Sequence, residues 1–203
     1  GNCAISFGYD PSKFEDSIYD VFIGEKSIND VKVQVDGYVD LVPANDDMNF
    51  LEFDVLPKIK EYSRPFHLLK KEIDKVKDNY DYVLIDTPPS MGLVLFNVLV
   101  ASNNIMLPFV PEQYNVKGLT RVVDAIRKFK DTHNPELNIS GVAGMMIDKR
   151  TILHSSMLDK ARDYCERNNI HFFQTTIPRS IVFANANAYE ILPAVWNRKG
   201  KAI

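Results

Sequence analysis

Five short apolar runs, separated by stretches with helical periodicity, constrain the fold of this chain more than any other feature. They cover residues 38–42, 82–86, 105–110, 142–147 and 172–177, and most are continuous rather than alternating. Continuous apolar runs are typical of parallel strands that are covered on both faces. The runs therefore predict the strands of a mostly parallel sheet.

Helical patterns fill most of the intervals between these runs. Apolar residues recur at spacings of three and four over residues 65–78, 117–130 and 153–167, and residues 90–101 are apolar nearly all round. Pro65 suits a first helical position, where its missing N–H is not needed. Strands that alternate with helices indicate βαβ units. The sequence therefore predicts an α/β fold, with a doubly wound, mostly parallel sheet flanked by helices.

The composition is that of an ordinary globular protein. The 203 residues are 45% hydrophobic and 25% charged, with a formal net charge of -3, which excludes disordered and collagen-like classes. Cys3 and Cys165 are too few and too far apart for a disulfide framework or an iron–sulfur cluster, and they suit a reducing cytosol. The most apolar stretch spans about 11 residues, whereas a membrane span needs roughly 20. No linker or repeat divides the chain, so we predict a single domain over residues 1–203.

One strand end carries residues that suit phosphate chemistry, the string Asp86-Thr87-Pro88-Pro89-Ser90. Ligands of open parallel sheets bind beyond the carboxyl ends of the strands, and a carboxylate there can hold Mg²⁺ directly or through water. The two prolines stiffen the turn, which can then hold backbone N–H groups and the serine hydroxyl near a γ-phosphate. An aspartate at a strand end can also simply cap the helix that follows. The residues alone leave both interpretations open.

This segment resembles the Walker B and switch II region of ParA-type partition ATPases, the ParA/Soj/MinD group with a deviant Walker A loop. Six further segments match the family in the same order. They are SIYDVFIGE (17–25), LVPAN (41–45), NVLVA (97–101), PFVPEQYNVKGL (108–119), MIDKRT (146–151) and TIPRS (176–180). Together the matches extend across nearly the whole chain, which makes the resemblance far more specific than any one motif.

The resemblance implies a Mg²⁺-dependent ATPase of plasmid or chromosome partitioning. Such proteins bind ATP and ADP, form a homodimer with ATP, and bind DNA without sequence preference. A ParB-like centromere-binding protein stimulates their hydrolysis. The resemblance further implies a bacterial, cytoplasmic and nucleoid-associated protein with no membrane partner.

The family's site residues carry over onto matching positions of this sequence. Asp86 becomes the Walker B acid that holds Mg²⁺ through water, and the switch II segment becomes Thr87, Pro88, Pro89 and Ser90. On the adenine and ribose side, the resemblance places two groups of residues, Met146 with Asp148 and Pro178 with Arg179 and Ser180. From the residues alone, Asp148 can equally cap the turn before the next helix.

Clustered lysines and arginines, rather than a basic net charge, are what non-specific DNA binding needs. The candidates are Arg162, Arg167, Lys149, Arg150, Arg198, Lys199 and Lys201. Arg162 falls where members of the family carry a DNA-contacting arginine. A solvated helix face accounts for the same charges equally well, so both interpretations stay open.

The 203 residues contain no glycine-rich phosphate loop. None of the nine glycines belongs to a G-x-x-x-x-G-K pattern, whose backbone N–H groups and lysine would hold the phosphates. Gly1-Asn2 resembles the "GN" that follows switch I in the family. We therefore expect the Walker A loop and the switch I acid to lie upstream of Gly1, and these residues alone to be inactive.

Two other functions share the predicted fold. A MinD-like ATPase needs a C-terminal amphipathic helix, and only residues 197–203 follow Trp196. A catalytically inactive ParA-like adaptor or regulator would keep the partner contacts without hydrolysis. The four histidines show no ligand spacing, so the sequence predicts no metal site besides Mg²⁺ at Asp86.

Overall fold

A computed structural model describes residues 2–112, 115–148 and 150–180 of the chain. These residues fall into two compact units, one over residues 2–101 and the other over residues 102–180. The prediction of a single domain stays a prediction, and each unit is described by itself.

The first unit is mainly helical. Its α-helices are α1 (Asn2–Ser6), α2 (Ile18–Ile23), α3 (Ile28–Val31), α4 (Leu51–Val55), α5 (Leu68–Ile73) and α6 (Leu93–Ala101). Short 3₁₀ turns cover Pro11–Lys13, Asp46–Asn49, Leu56–Glu61, Pro65–His67 and Lys77–Asn79. Its core is built mostly from apolar residues of α2 to α6: Val21, Phe22, Ile28, Val31, Leu51, Val55, Leu69, Ile73, Val76, Leu93 and Val98.

The strand predicted over residues 38–42 is shorter than expected and antiparallel. Strands β1 (Val33–Gln34) and β2 (Asp40–Leu41) pair with each other, and Val33 lies opposite Leu41. Only a few residues join the two strands, and so short a connection can link only antiparallel neighbours. The prediction of a parallel strand was therefore wrong here.

The strand predicted over residues 82–86 is absent, because this run has no backbone partner. No described residue forms a backbone hydrogen bond with it. Tyr82 is 85% and Leu84 93% exposed, while Ile85 packs against the core. An apolar run predicts that a segment can be buried, but a strand exists only beside another strand.

Two helices predicted in this unit are shorter than expected. The pattern over residues 65–78 becomes a 3₁₀ turn that Pro65 opens, then α5, then a second turn. Residues 90–101 form a helix only from Leu93. Helix α6 is buried, as its uniformly apolar composition predicted.

The second unit contains the parallel pairing that the sequence predicted. Strands β3 (Asn104–Phe109) and β4 (Asn138–Gly144) run parallel, with Asn104 opposite Asn138 and Phe109 opposite Gly144. The run over residues 172–177 forms no continuous strand, but parallel bridges join Val142 to Phe172 and Ile147 to Pro178.

Two long helices complete the second unit, α7 (Asn115–His133) and α8 (Ile152–Arg167). Both helices confirm the predictions made from the helical periodicity over residues 117–130 and 153–167. At Gly141 the backbone passes close to the segment that contains His171. A Cβ atom at this position would lie 2.8 Å from the carbonyl oxygen of His171.

Candidate functional site

The Asp86 carboxylate is exposed and accepts a hydrogen bond from the Cys3 thiol, with 3.6 Å between Sγ and Oδ2. Although much of Cys3 is exposed, desolvation of its thiol raises its pKa, and the neighbouring Asp86 charge raises it further. The thiol therefore stays protonated at neutral pH and donates to the carboxylate. Sulfur is a weak donor, so this contact leaves the carboxylate able to take a hydrated cation.

The exposed Asp86 carboxylate has the oxygen donors that magnesium uses. In the part of the chain that the structure describes, no group of three or more His, Cys, Asp or Glu is placed to hold a metal ion. Mg²⁺ is usually bound by one or two carboxylates while it keeps several waters. A single exposed Asp86 suits that mode of binding.

Residues Thr87 to Ser90, predicted as switch II, are all exposed. They lead into α6, whose first N–H group, that of Leu93, donates to Glu52 Oε1 at 2.7 Å. A Cβ atom on Gly92 would overlap the same Glu52 oxygen. The carboxyl end of the segment that follows Asp86 is therefore held against α4 by this contact.

Two of the matching segments contact each other at the start of α2. Ser17 is fully buried and its hydroxyl donates to Asn45 Oδ1, while the N–H of Ile18 donates to the carbonyl of Pro43. Asp20 completes a capping box with Ser17, and Gly24 ends α2 with a left-handed backbone, φ 84°. The segments 17–25 and 41–45 therefore have a structural role.

The structure brings together the two groups predicted on the adenine and ribose side. The N–H of Ile147 donates to the carbonyl of Ile177, and the N–H of Arg179 donates to the carbonyl of Ile147, both at 3.0 Å. Met146 and Asp148 therefore lie beside the segment that holds Pro178, Arg179 and Ser180. Both segments follow the sheet residues of this unit, where ligands of parallel sheets bind.

The Asp148 side chain is engaged within its own turn. Its carboxylate accepts from Arg150 Nε at 2.9 Å, from Arg150 Nη2 at 2.8 Å and from the Arg150 backbone. These hydrogen bonds hold the pKa of Asp148 well below its usual range. Thr151 then caps α8 by accepting from the N–H of His154. This geometry favours the capping interpretation, and a ribose contact by Asp148 stays a prediction.

The arginines predicted to contact DNA have local partners in the second unit. Arg150 pairs with Asp148, and Arg162 Nη1 lies 3.8 Å from Asp159 Oδ1 with its guanidinium over the Phe172 ring. Arg167 donates to the backbone carbonyl of Asp163. The remaining candidates lie outside the described residues: Lys149, Arg198, Lys199 and Lys201.

Comparison with known proteins identifies the family. A family model described as an AAA domain matches residues 1–139. The sporulation initiation inhibitor protein Soj of Bacillus subtilis is 30% identical over 190 residues, which cover 93% of this chain and 72% of Soj. This chain belongs to the ParA/Soj family of ATPases. A ParA family protein of Mycoplasma pneumoniae is likewise 30% identical to this ParA/Soj-family chain over 202 residues, with 95% of the chain and 73% of the relative covered.

Solved structures confirm the α/β fold class predicted for this ParA/Soj-family chain. Cobyrinic acid a,c-diamide synthase from Mycobacterium smegmatis, with bound ATP analog and magnesium, has a TM-score of 0.78 at 27% identity. The match covers 89% of this chain and 69% of that one. The cell division ATPase MinD of Pyrococcus furiosus shares the fold, with a TM-score of 0.71 at 21% identity, over 98% of this chain and 75% of its own.

Over the described residues, no helix combines the length and the apolar character that crossing a membrane requires.

Sequence reasoning missed two side chains at the predicted switch II segment. Cys3 and Glu52 carry no periodicity or motif that marks them, because each meets its partner only through the fold. The partners are far away in sequence, 83 residues from Cys3 to Asp86 and 41 from Glu52 to Leu93. Helix α4 contains two acidic residues, Glu52 and Asp54, so an acidic position within it does not single out Glu52.

Proposed function

We propose that this ParA/Soj-family chain binds ATP and ADP with Mg²⁺ and belongs to an ATPase that partitions plasmid or chromosomal DNA. The observation that carries the proposal is the pairing of Ile147 with Pro178, which puts the two adenine-side groups side by side. The relative from Mycobacterium smegmatis was solved with an ATP analog and with ADP, each with magnesium.

In this proposal Asp86 is the magnesium acid. Its exposed carboxylate has one weak donor, the Cys3 thiol, and would bind Mg²⁺ through a water molecule. Magnesium, when bound, neutralises charge on the β- and γ-phosphate oxygens. The exposed segment from Thr87 to Ser90 would lie against the phosphates, and the contact of Glu52 with Leu93 fixes where that segment ends.

The adenine contacts are proposed for the residues that flank the bridge. Both backbone groups of Ile147 are used in pairing with Ile177 and Arg179. Base contacts therefore fall to Met146, Pro178, Arg179 and Ser180, with Asp148 shaping the turn beside them. Met146 is 47% exposed and has a left-handed backbone, φ 55°, which is unusual for a residue with a side chain.

The proposal extends to the assembly and partners of the family. ATP would hold two copies together as a homodimer, the dimer would bind DNA through Arg162 and Arg167, and a ParB-like protein would stimulate hydrolysis. Arg162 supports this role in part, because its side chain is 46% exposed while its ion pair with Asp159 is long. Such a protein would act on the nucleoid in the bacterial cytoplasm.

Nucleotide binding is tested on the 203-residue chain by NMR. Adding ATP and Mg²⁺ should shift the amide signals of Met146 and Arg179 and those of Asp86, Thr87 and Ser90. The variant Asp86→Asn should lose the magnesium-dependent part of the shifts at positions 86, 87 and 90 and keep the shifts of Met146 and Arg179. The absence of any shift at about 10 mM ATP, where even a weak site fills, would overturn nucleotide binding by these residues.

Hydrolysis is a separate readout. Because these 203 residues contain no G-x-x-x-x-G-K pattern, we propose that they do not turn over ATP by themselves. Phosphate release from ATP, measured with and without Mg²⁺, checks this. Magnesium-dependent turnover that Asp86→Asn removes would overturn the proposed inactivity, and it would strengthen the role of Asp86.

A further inference from the structure

His154 lies in the first turn of α8, and its side chain bonds back to the segment before that helix. The ring nitrogen Nδ1 accepts a hydrogen bond from the backbone N–H of Asp148, with 3.0 Å between the two nitrogens. A ring nitrogen that accepts a hydrogen bond carries no hydrogen itself, so the ring is neutral and holds its hydrogen on Nε2. The partly buried His154 ring therefore ties α8 to the turn that follows Ile147.

The same contact belongs to a closed ring of hydrogen bonds. The backbone N–H of His154 donates to Thr151 Oγ1 at 3.3 Å, and the Thr151 hydroxyl donates to the carbonyl of Asp148 at 3.1 Å. The backbone N–H of Thr151 donates to that carbonyl as well, at 3.2 Å. Both backbone groups of Asp148 are therefore held by residues at the start of α8.

The carbonyl of Ile147 and the N–H of Asp148 belong to one peptide group. The carbonyl accepts from the N–H of Arg179 at 3.0 Å, so Arg179 holds one side of this peptide group and His154 holds the other. A peptide group is planar and turns as a unit. Its orientation is fixed while both sides are bound, and loss of the His154 contact would let it turn and weaken the Arg179 contact.

This peptide group joins the two segments that are proposed to flank the nucleotide base. Met146 precedes it, and Ile147 pairs with Pro178 in a parallel bridge. The backbone of Met146 is left-handed, φ 55°, a conformation that persists only where neighbouring contacts hold it. The orientation of the peptide group therefore decides where the exposed Met146 side chain lies relative to Pro178.

We propose that His154 is a positioning residue for the base of the bound nucleotide. The inference rests on the proposed nucleotide function and adds to it a residue that acts without touching the nucleotide. Its neutral ring fixes the peptide group between Ile147 and Asp148, so any hydrogen-bond acceptor at the place of Nδ1 should serve equally well.

The hydrogen bond is tested by NMR on the 203-residue chain without nucleotide. The imidazole nitrogen signals of His154 should show the hydrogen on Nε2 and none on Nδ1. His154→Leu removes the acceptor and should shift the amide signals of Asp148 and Arg179, because both N–H groups bond at the same peptide group. His154→Asn carries its oxygen as many bonds from the backbone as Nδ1 and should leave both signals nearly in place.

Nucleotide affinity is the second measurement, followed through the amide shift of Met146. His154→Leu should raise the dissociation constants of ATP and ADP by the same factor, about fivefold, because both carry the same base and ribose and one hydrogen bond is lost. His154→Asn should stay within about twofold of the unaltered chain. His154→Gln carries the same amide one bond farther out and should weaken binding as His154→Leu does.

A matched substitution and an unfolding measurement control for general effects. His133→Leu makes the same change at an exposed position of α7 and should alter neither nucleotide affinity nor the Asp148 signal. Urea unfolding should show that each variant is folded under the conditions of the titration. If His154→Leu is not folded, His154→Gln takes its place beside His154→Asn.

The nucleotide function and the positioning role fail in different ways. An unaltered chain that binds neither ATP nor ADP would overturn the nucleotide function and the positioning role with it. Binding that His154→Leu leaves within about twofold would overturn the positioning role alone. A loss that His154→Asn shares, or a loss confined to ATP, would also overturn it, because packing of the ring or the phosphates would then account for the effect.

Discussion

The carboxylate of Glu52 on α4 accepts a hydrogen bond from the backbone N–H of Leu93, the first residue of α6, at 2.7 Å. The first N–H groups of a helix have no partner inside the helix, and negative charge near them is stabilising. Glu52 therefore caps α6 from another helix. Through this contact α4 holds the end of the exposed segment that follows Asp86.

Removing this cap should destabilise the first unit. We expect Glu52→Ala to lower the free energy of unfolding by about 1–2 kcal/mol, and Glu52→Gln by less, because the amide oxygen can still accept the hydrogen bond. Urea unfolding followed by circular dichroism measures the difference. Glu61→Ala, at an exposed position beyond α4, is the matched control and should have little effect. Equal losses for Glu52→Ala and Glu61→Ala would contradict the capping role.

A side chain at Gly92 should displace the same cap. The Cβ atom of Gly92→Ala would overlap the Glu52 carboxylate, which is the end of a flexible side chain and can move away. Gly92→Ala should therefore remove part of what Glu52→Ala removes, so the losses of the two variants should be less than additive. Unfolding of both single variants and the double variant completes the cycle. Strict additivity would mean that Gly92 acts independently of Glu52.

Asn97 should be among the least replaceable residues of the first unit. It is fully buried; its amide group donates to the carbonyls of Pro65 and Leu93, and its oxygen accepts from the N–H of Leu69. Asn97→Leu keeps the volume but leaves these buried groups unpaired, so we expect a loss of about 2–4 kcal/mol. Urea unfolding measures it against Asn103→Leu, the same substitution at an exposed position. A loss below about 1 kcal/mol would show that water reaches the unpaired groups.

Local patterns predicted the second unit better than the first. Helices α7 and α8 have strong periodicity, and the apolar runs over residues 105–110 and 142–147 overlap the parallel pair β3 and β4, although β4 begins at Asn138 and ends at Gly144. The run over residues 82–86 is as apolar, yet it has no backbone partner among the described residues and forms no strand. Periodicity reports which residues can be buried, whereas strand formation depends on a partner that the run itself does not encode.

The candidate site shows the same limit. The side-by-side position of the Met146 and Pro178 segments was predictable, because both follow predicted strand runs. The strand that was expected to position Asp86 is absent, and the magnesium role of Asp86 stays a prediction. For Asp148 the sequence left two alternatives open, a contact with the ribose or a cap of its own turn. Residue patterns could not decide between them, because a carboxylate in a short turn can accept hydrogen bonds from a ligand or from the turn. The Cys3–Asp86 and Glu52–Leu93 contacts join residues 83 and 41 positions apart, and no sequence pattern links such pairs.

The Asp148–Arg150 pair should respond to pH only in acid. Hydrogen bonds from Arg150 lower the pKa of the folded-state Asp148 carboxyl, so their stabilising effect is complete above the unfolded pKa of about 4. It is lost as the pH falls through the lower, folded-state pKa. NMR titration of the carboxyl carbons should show the pKa of Asp148 below its usual range, and that pKa should rise in Arg150→Ala. Arg179→Ala is the control and should leave the pKa of Asp148 unchanged. An Asp148 pKa that does not move in Arg150→Ala would contradict the pairing.

The reactivity of Cys3 should report on its contact with Asp86. Burial of the thiol and the adjacent carboxylate both raise its pKa, so Asp86→Asn should lower the pKa part of the way toward its ordinary value. At pH 8 more thiolate would then be present, and Cys3 should react several times faster with iodoacetamide. Mass spectrometry follows the modification, and the buried Cys165 in the same molecule is the internal control. An unchanged rate at Cys3 would mean that the thiol does not contact Asp86 in solution.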